Sequence, residues 1–177
     1  MMLGEIQTGR PEGAPEGVSE VAITDRPLRA LRIPRESAAE AADLEDLQGF
    51  GIFFLVGPGA RRGERPRVFI GGHSYLGREL TRLLDFPPFP WTAAVAVPLS
   101  PPKVARFHKE LTKLMQFHCH RYAVRANHHQ VVNPPPACPS LVPAFVDSDL
   151  KASRLGVQTL LFALGHPVLG TRLRVVK

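Results

Sequence analysis

Cysteine is almost missing from this chain. Its two residues, Cys119 and Cys138, are too few for the disulfide framework of a small secreted protein, and both are expected as free thiols. Long apolar runs are missing too: no stretch approaches the roughly 20 uninterrupted apolar residues of a membrane span. Residues 1–19 are rich in Gly, Pro and Glu and lack the apolar centre of a signal peptide. A cytoplasmic protein with no membrane partner is the expectation. No internal repeat is visible. Zinc spacing is absent as well, because His118-Cys119-His120, His128, His129 and Cys138 form no CxxC or HxxxH element. Helix-end and loop histidines are the expected reading.

What the chain does have is charge, unevenly spread. Residues 1–48 hold 5 Arg against 10 Asp and Glu, and residues 49–177 hold 17 Lys and Arg against 6 acids. The first stretch is therefore −5 and the rest +11. A basic body suits a polyanion, because neutralising phosphates releases their condensed counterions; it also suits a solvated basic surface. Hydrophobic content of 44% over 177 residues supports one ordinary core with an arm or tail.

Periodicity and turn chemistry divide the chain. Residues 1–22 read as a disordered arm, and 23–48 as an acidic extension. In that extension Ser37 and Glu40 form a capping box for a helix over 38–47. The apolar runs 51–56 and 68–70 flank Gly57-Pro58-Gly59 and Gly63-Glu64-Arg65-Pro66, which predicts a β-hairpin. Ser74 is placed to cap a helix over 75–84 with Leu76, Leu80, Leu83 and Leu84 on one side. A third strand follows over 91–97, then a helix over 103–118 that starts after Pro101-Pro102. Its apolar face is Val104, Phe107, Leu111, Leu114 and Met115; Arg106, Lys109, Glu110 and Lys113 lie opposite. A short strand is expected over 122–124 and a polyproline-like connector over 133–139. A last helix over 149–164, capped by Asp147 or Ser148 and stopped by Gly165, precedes a possible strand over 168–176. The units expected are thus 49–130 as the main domain and 131–177 as connector and C-terminal helix packed on it.

Gly51-Ile52-Phe53 and Phe69-Ile70-Gly71 stand at the ends of the hairpin strands. Trp91, Glu110, Asn127, Pro134-Pro135-Pro136 and a segment from Leu164 to Gly170 follow in order. This arrangement, over roughly residues 47–170, resembles the GIY-YIG endonuclease superfamily and a bacterial subgroup of it, with phenylalanine at both signature tyrosines. The resemblance implies an α+β fold, a small three-stranded mixed or antiparallel sheet flanked by helices. It also implies a metal-dependent phosphodiester hydrolase, a DNA endonuclease using Mg²⁺ or Mn²⁺. Glu110 would be the metal ligand, Arg78 or Arg82 the phosphate contact and His73 a proton acceptor. The expected position of the family's helix arginine is Glu79; Arg78 lies one residue earlier, about 100° away around an ideal helix. Phenylalanine can neither donate nor accept a proton. The alternative is therefore a catalytically inactive relative that binds nucleic acid or protein. The basic residues expected to meet nucleic acid are Arg61, Arg62, Arg65, Arg67, Arg78, Arg82, Lys103, Arg106, Lys109 and Lys113. Phe53 and Phe69 equally suit a paired-strand core, Glu110 a solvated ion pair on its helix, and His73 a polar turn.

Overall fold

The run Gly51–Gly57 is apolar at nearly every position, and it forms the strand with neighbours on both sides and helices on both faces. In the computed structural model, which describes residues 5–24, 28–99, 108–138 and 144–170, this strand is β4. It pairs antiparallel with β5 (Arg67–His73) on one side and β6 (Ala93–Pro98) on the other. Side chains alternate along it. Ile52, Phe54 and Val56 join Val68, Ile70 and Val95 on one face, while Phe53 and Leu55 join Leu31, Ile33, Ala94 and Ala96 on the other.

Helices α3 (His108–Ala126) and α4 (Ala144–Ala163) cover the first face through Leu114, Met115, Cys119, Ala123, Val157, Leu160 and Leu161. The short α1 (Ala38–Ala41) and α2 (Leu76–Asp85) cover the second through Ala38, Ala41, Leu76, Leu80 and Leu83. These two helices meet closely: a Cβ at Gly77 would lie 2.1 Å from the Ala42 carbonyl oxygen. The architecture is an α+β sheet flanked by helices. No described helix is long and apolar enough to cross a membrane.

The sheet is larger than the three strands expected. Among the described residues it has seven, in the order β1-β2-β3-β6-β4-β5-β7. The arm expected to be disordered supplies β1 (Ile6–Gly9) and β2 (Ser19–Ile23), which form an antiparallel meander with β3 (Leu28–Pro34). The Gly/Pro-rich stretch reads as disorder by composition but is turn chemistry. Gly13 and Gly17 take positive φ, and Ala14 and Val18 donate N–H bonds to the Pro11 and Pro15 carbonyls. Val18, Val21, Ile23 and Leu28 are buried; that burial compensates the ordering cost. Ser37 does sit at the N-cap of α1, but its hydroxyl donates to the Glu16 carbonyl at 2.8 Å instead of capping. The acidic helix breaks after Ala41, resuming as a 3₁₀ turn over Glu45–Leu47.

Two further differences concern α3 and its sequel. The expected strand over 122–124 is the last part of α3, because Met115, Cys119 and Ala123 continue the helical period onto the core. The helix ends at Asn127, whose φ of 57° lies in the left-handed region. Residues 103–107, with Lys103 and Arg106, lie outside the described residues. So do residues 171–177 of the expected last strand. β7 (Gln130–Val131) runs parallel to β5, and the Asn133 side chain extends the ladder. Its Oδ1 accepts from the Ile70 N–H at 3.0 Å, and its Nδ2 donates to the Ile70 carbonyl at 2.9 Å. Tyr75, not Ser74, occupies the N-cap of α2, and α4 begins at Ala144, before its expected cap.

Candidate nucleic-acid interface

Phe53 pairs with Gly71 across β4 and β5, and Leu55 with Phe69. Their alternation points both phenylalanines at the α2 face, where the rings stack with centroids 6.1 Å apart and planes 17° apart. Phe53 is 1% exposed. Its ring tip fills the space over Gly71: a Cβ there would lie 2.1 Å from Phe53 Cζ. The two triplets are thus a packing unit. Gly71→Ala is expected to cost about 2–3 kcal/mol in urea unfolding by forcing the Phe53 ring into a close-packed core. Phe53→Leu should recover part of that loss when combined with it, and strictly additive effects in the double-mutant cycle would refute this contact.

At the end of β5, His73 lies beside the start of α2. Its Nδ1 is 3.0 Å from the Tyr75 backbone N–H and 2.8 Å from the Tyr75 carbonyl, so the backbone pins the ring. Its Nε2 lies 4.0 Å from Glu79 Oε2. Arg82 grips the same carboxylate with two bonds, Nε at 2.8 Å and Nη2 at 2.6 Å, and this hydrogen bond and charge raise the guanidinium pKa further. His73 and Arg82 therefore meet through Glu79, which neutralises the arginine expected to hold phosphate. Arg78 is exposed on the same helix.

Glu110 lies elsewhere. It is exposed in the first turn of α3, between Lys109 and Lys113 in sequence, and α3 packs on the sheet face opposite Phe53 and Phe69. A Mg²⁺ or Mn²⁺ ion of the expected kind keeps several waters and takes only one or two protein carboxylates. Among the described residues no three His, Cys, Asp or Glu side chains come together to hold one. Glu110 would be the single protein carboxylate on a Mg²⁺ or Mn²⁺ ion, with water or phosphate oxygens completing its shell. A structural zinc would need a larger set of His and Cys ligands, and the described histidines and cysteines supply no such group.

The arginines fare differently. The loop between β4 and β5 reaches out from one end of the sheet with Arg61 and Arg62 exposed. Glu64 caps it by accepting the Arg61 N–H at 3.1 Å. Arg65 turns toward α3, donating to the Asn127 carbonyl at 3.0 Å and to its Oδ1. Arg67 turns the other way, over the Phe89 ring at 5.0 Å, with Nε donating to the Pro58 carbonyl. The Arg65 bonds tie the loop to the C-terminal end of α3, which carries exposed Arg121 and Arg125. The loop and those last turns thus hold six arginines and one acid, Glu64. Arg121 and Arg125 were missed because the segment after residue 118 reads locally as a strand; the helical spacing of Cys119 and Ala123 was the signal. Lys109 and Lys113 sit toward the other end of α3, with Lys113 about 18 Å from Arg125 at 1.5 Å per residue. They belong to a separate patch.

Beside this end lie one buried and one half-buried imidazole. His129, 8% exposed, has no partner for Nδ1, and burial together with His166 and His128 lowers its pKa to about 4. Burial and Arg32 lower that of His166, whose Nε2 is likewise unpartnered. Unfolded, His129 takes up its proton near 6.5. Below that pH the unfolded chain binds more protons than the folded one, so stability is complete above about 6.5 and falls toward 4. A loss of about 2 kcal/mol is expected across this window, read from urea midpoints at pH 7.5 and 4.5. His129→Asn should flatten the curve. Burial pushes the Cys119 thiol up to about 12 against the opposing charge of Arg154, so it is inert as a nucleophile.

No family model, no curated protein and no solved structure matches the chain.

Proposed function

We propose that the protein binds nucleic acid through the arginine-bearing end of its sheet, and that it does so without a cleavage centre of its own. The observation that carries this reading is the Arg65–Asn127 connection, which gathers Arg61, Arg62, Arg65, Arg67, Arg121 and Arg125 from two distant segments. Loss of cleavage is supported by the packed Phe53 ring, by Glu79 closing on Arg82, and by Glu110 on the opposite face. The chain order β4, β5, α2, β6, α3 supports kinship with the GIY-YIG superfamily, as an inactive relative carrying added strands.

The test is titration of a labelled oligonucleotide at rising salt, with supercoiled plasmid and Mg²⁺ or Mn²⁺ in parallel. Salt-sensitive binding without nicking is the expected result. Nicking that Glu110→Gln abolishes would restore the endonuclease reading. Binding that ignores salt, or no binding, would remove nucleic acid as the partner.

A further inference from the structure

The basic end carries an aromatic side chain with no place in the core. Phe86, at the C-terminal end of α2, is 72% exposed, the most exposed large hydrophobic residue described. A lone exposed apolar residue is ordinary. This one is held in position. Its backbone N–H donates to the Arg82 carbonyl at 3.0 Å, and the two prolines after it restrict the chain further. Three residues on, Phe89 is buried beneath Arg67. The segment lies against the base of the loop: a Cβ at Gly57 would come within 2.5 Å of the Pro90 carbonyl oxygen and 3.0 Å of Phe89 Cε2. A solvent-facing ring on a restrained backbone thus stands at the arginine-bearing end of the sheet.

Resting on the nucleic-acid reading above, we infer that this end takes a single strand, with Phe86 stacked on an unpaired base while the arginines hold the backbone. A duplex keeps its base faces inside its own stack and presents mainly phosphate. A single strand offers both, and aromatic platforms beside cationic grooves recognise it without reading sequence. The restrained backbone gives up little conformational freedom on binding.

The experiment compares dT₁₂ with a 12-base-pair duplex by fluorescence anisotropy, on the full chain, with Phe86→Ala and with Arg61→Ala/Arg62→Ala. An exposed position makes Phe86→Ala neutral for folding, which circular dichroism checks. Wild type is expected to prefer the single strand; Phe86→Ala should lose about tenfold on dT₁₂ and nothing on the duplex. The arginine variant should weaken both. Phe86→Trp should keep the affinity and show indole quenching on dT₁₂. Equal affinity for the two probes, or a Phe86→Ala loss shared by both or absent from both, overturns the stacking proposal and leaves the basic interface standing. Failure of wild type to bind either probe overturns the nucleic-acid reading itself.

Discussion

Affinity for a single-stranded oligonucleotide is expected to fall about 60- to 250-fold as salt rises from 50 to 200 mM, a slope of about −3 to −4 in log K against log salt. The estimate follows from the arginines. Each neutralised phosphate of a single strand contributes about −0.7 to the slope. Arg61, Arg62, Arg121 and Arg125 are exposed, and among the described residues no carboxylate pairs with them. Among the described residues Arg65 and Arg67 bond to neutral acceptors and keep their charge. Four to six contacts give that range. Arg61→Ala/Arg62→Ala/Arg125→Ala should lower the slope by about 2, and Lys109→Ala/Lys113→Ala should leave it unchanged. A triple variant with the wild-type slope would show that the ligand sits elsewhere. Arg82 makes a useful contrast: Glu79 already satisfies it, so Arg82→Ala should shift stability slightly and the salt slope not at all.

The central hairpin, α2, the third strand and the glycine stop after α4 were legible in the sequence, because each depends on local signals. The uninterrupted apolar run of β4 can only be a strand covered on both faces, and Gly165, at φ +79°, ends its helix as the spacing predicts. The N-terminal strands were not legible. Val18, Val21 and Ile23 are scattered among Gly, Pro and Glu, and only pairing with β3, itself docked on β6, makes them a sheet. The residues of the expected site lie apart for a related reason. Sequence order placed His73, Arg82 and Glu110 in a plausible series, but order does not state which face of a sheet each helix covers. The parity of β4 and β5 decides that. It sends Phe53 toward α2 and Ile52 toward α3, and so parts Glu110 from the rest. The Arg65–Asn127 bond spans 62 residues and no spacing rule could supply it.

Trp91→Ala is expected to cost about 3–5 kcal/mol, the largest effect of any single substitution considered. The ring is 2% exposed and is the largest fully buried side chain. It fills the space between the end of α2 and the start of β6, with its Nε1 donating to the Leu83 carbonyl at 3.4 Å and Arg35 over its face at 5.1 Å. Removing it leaves a cavity in the apolar cluster that also holds Leu80, Leu83, Phe89 and Ala94, and close-packed neighbours fill such a space only in part. Against a typical total of about 5–15 kcal/mol, this is enough to bring the domain near its unfolding threshold. Trp91→Phe, which keeps most of the volume and loses the N–H bond, should cost about 1–2 kcal/mol. A loss below about 1 kcal/mol for the alanine variant would mean that the end of α2 collapses onto β4 freely. The cavity would also leave Phe89 without support from beneath, and Phe89 packs at the start of the loop and carries Arg67 on its ring. Below its melting temperature Trp91→Ala should therefore also lose the single-strand preference, because the segment that presents Phe86 is held from beneath by Phe89 and Trp91. A destabilised variant that kept the preference would show that the ring needs only its two prolines to stay in place.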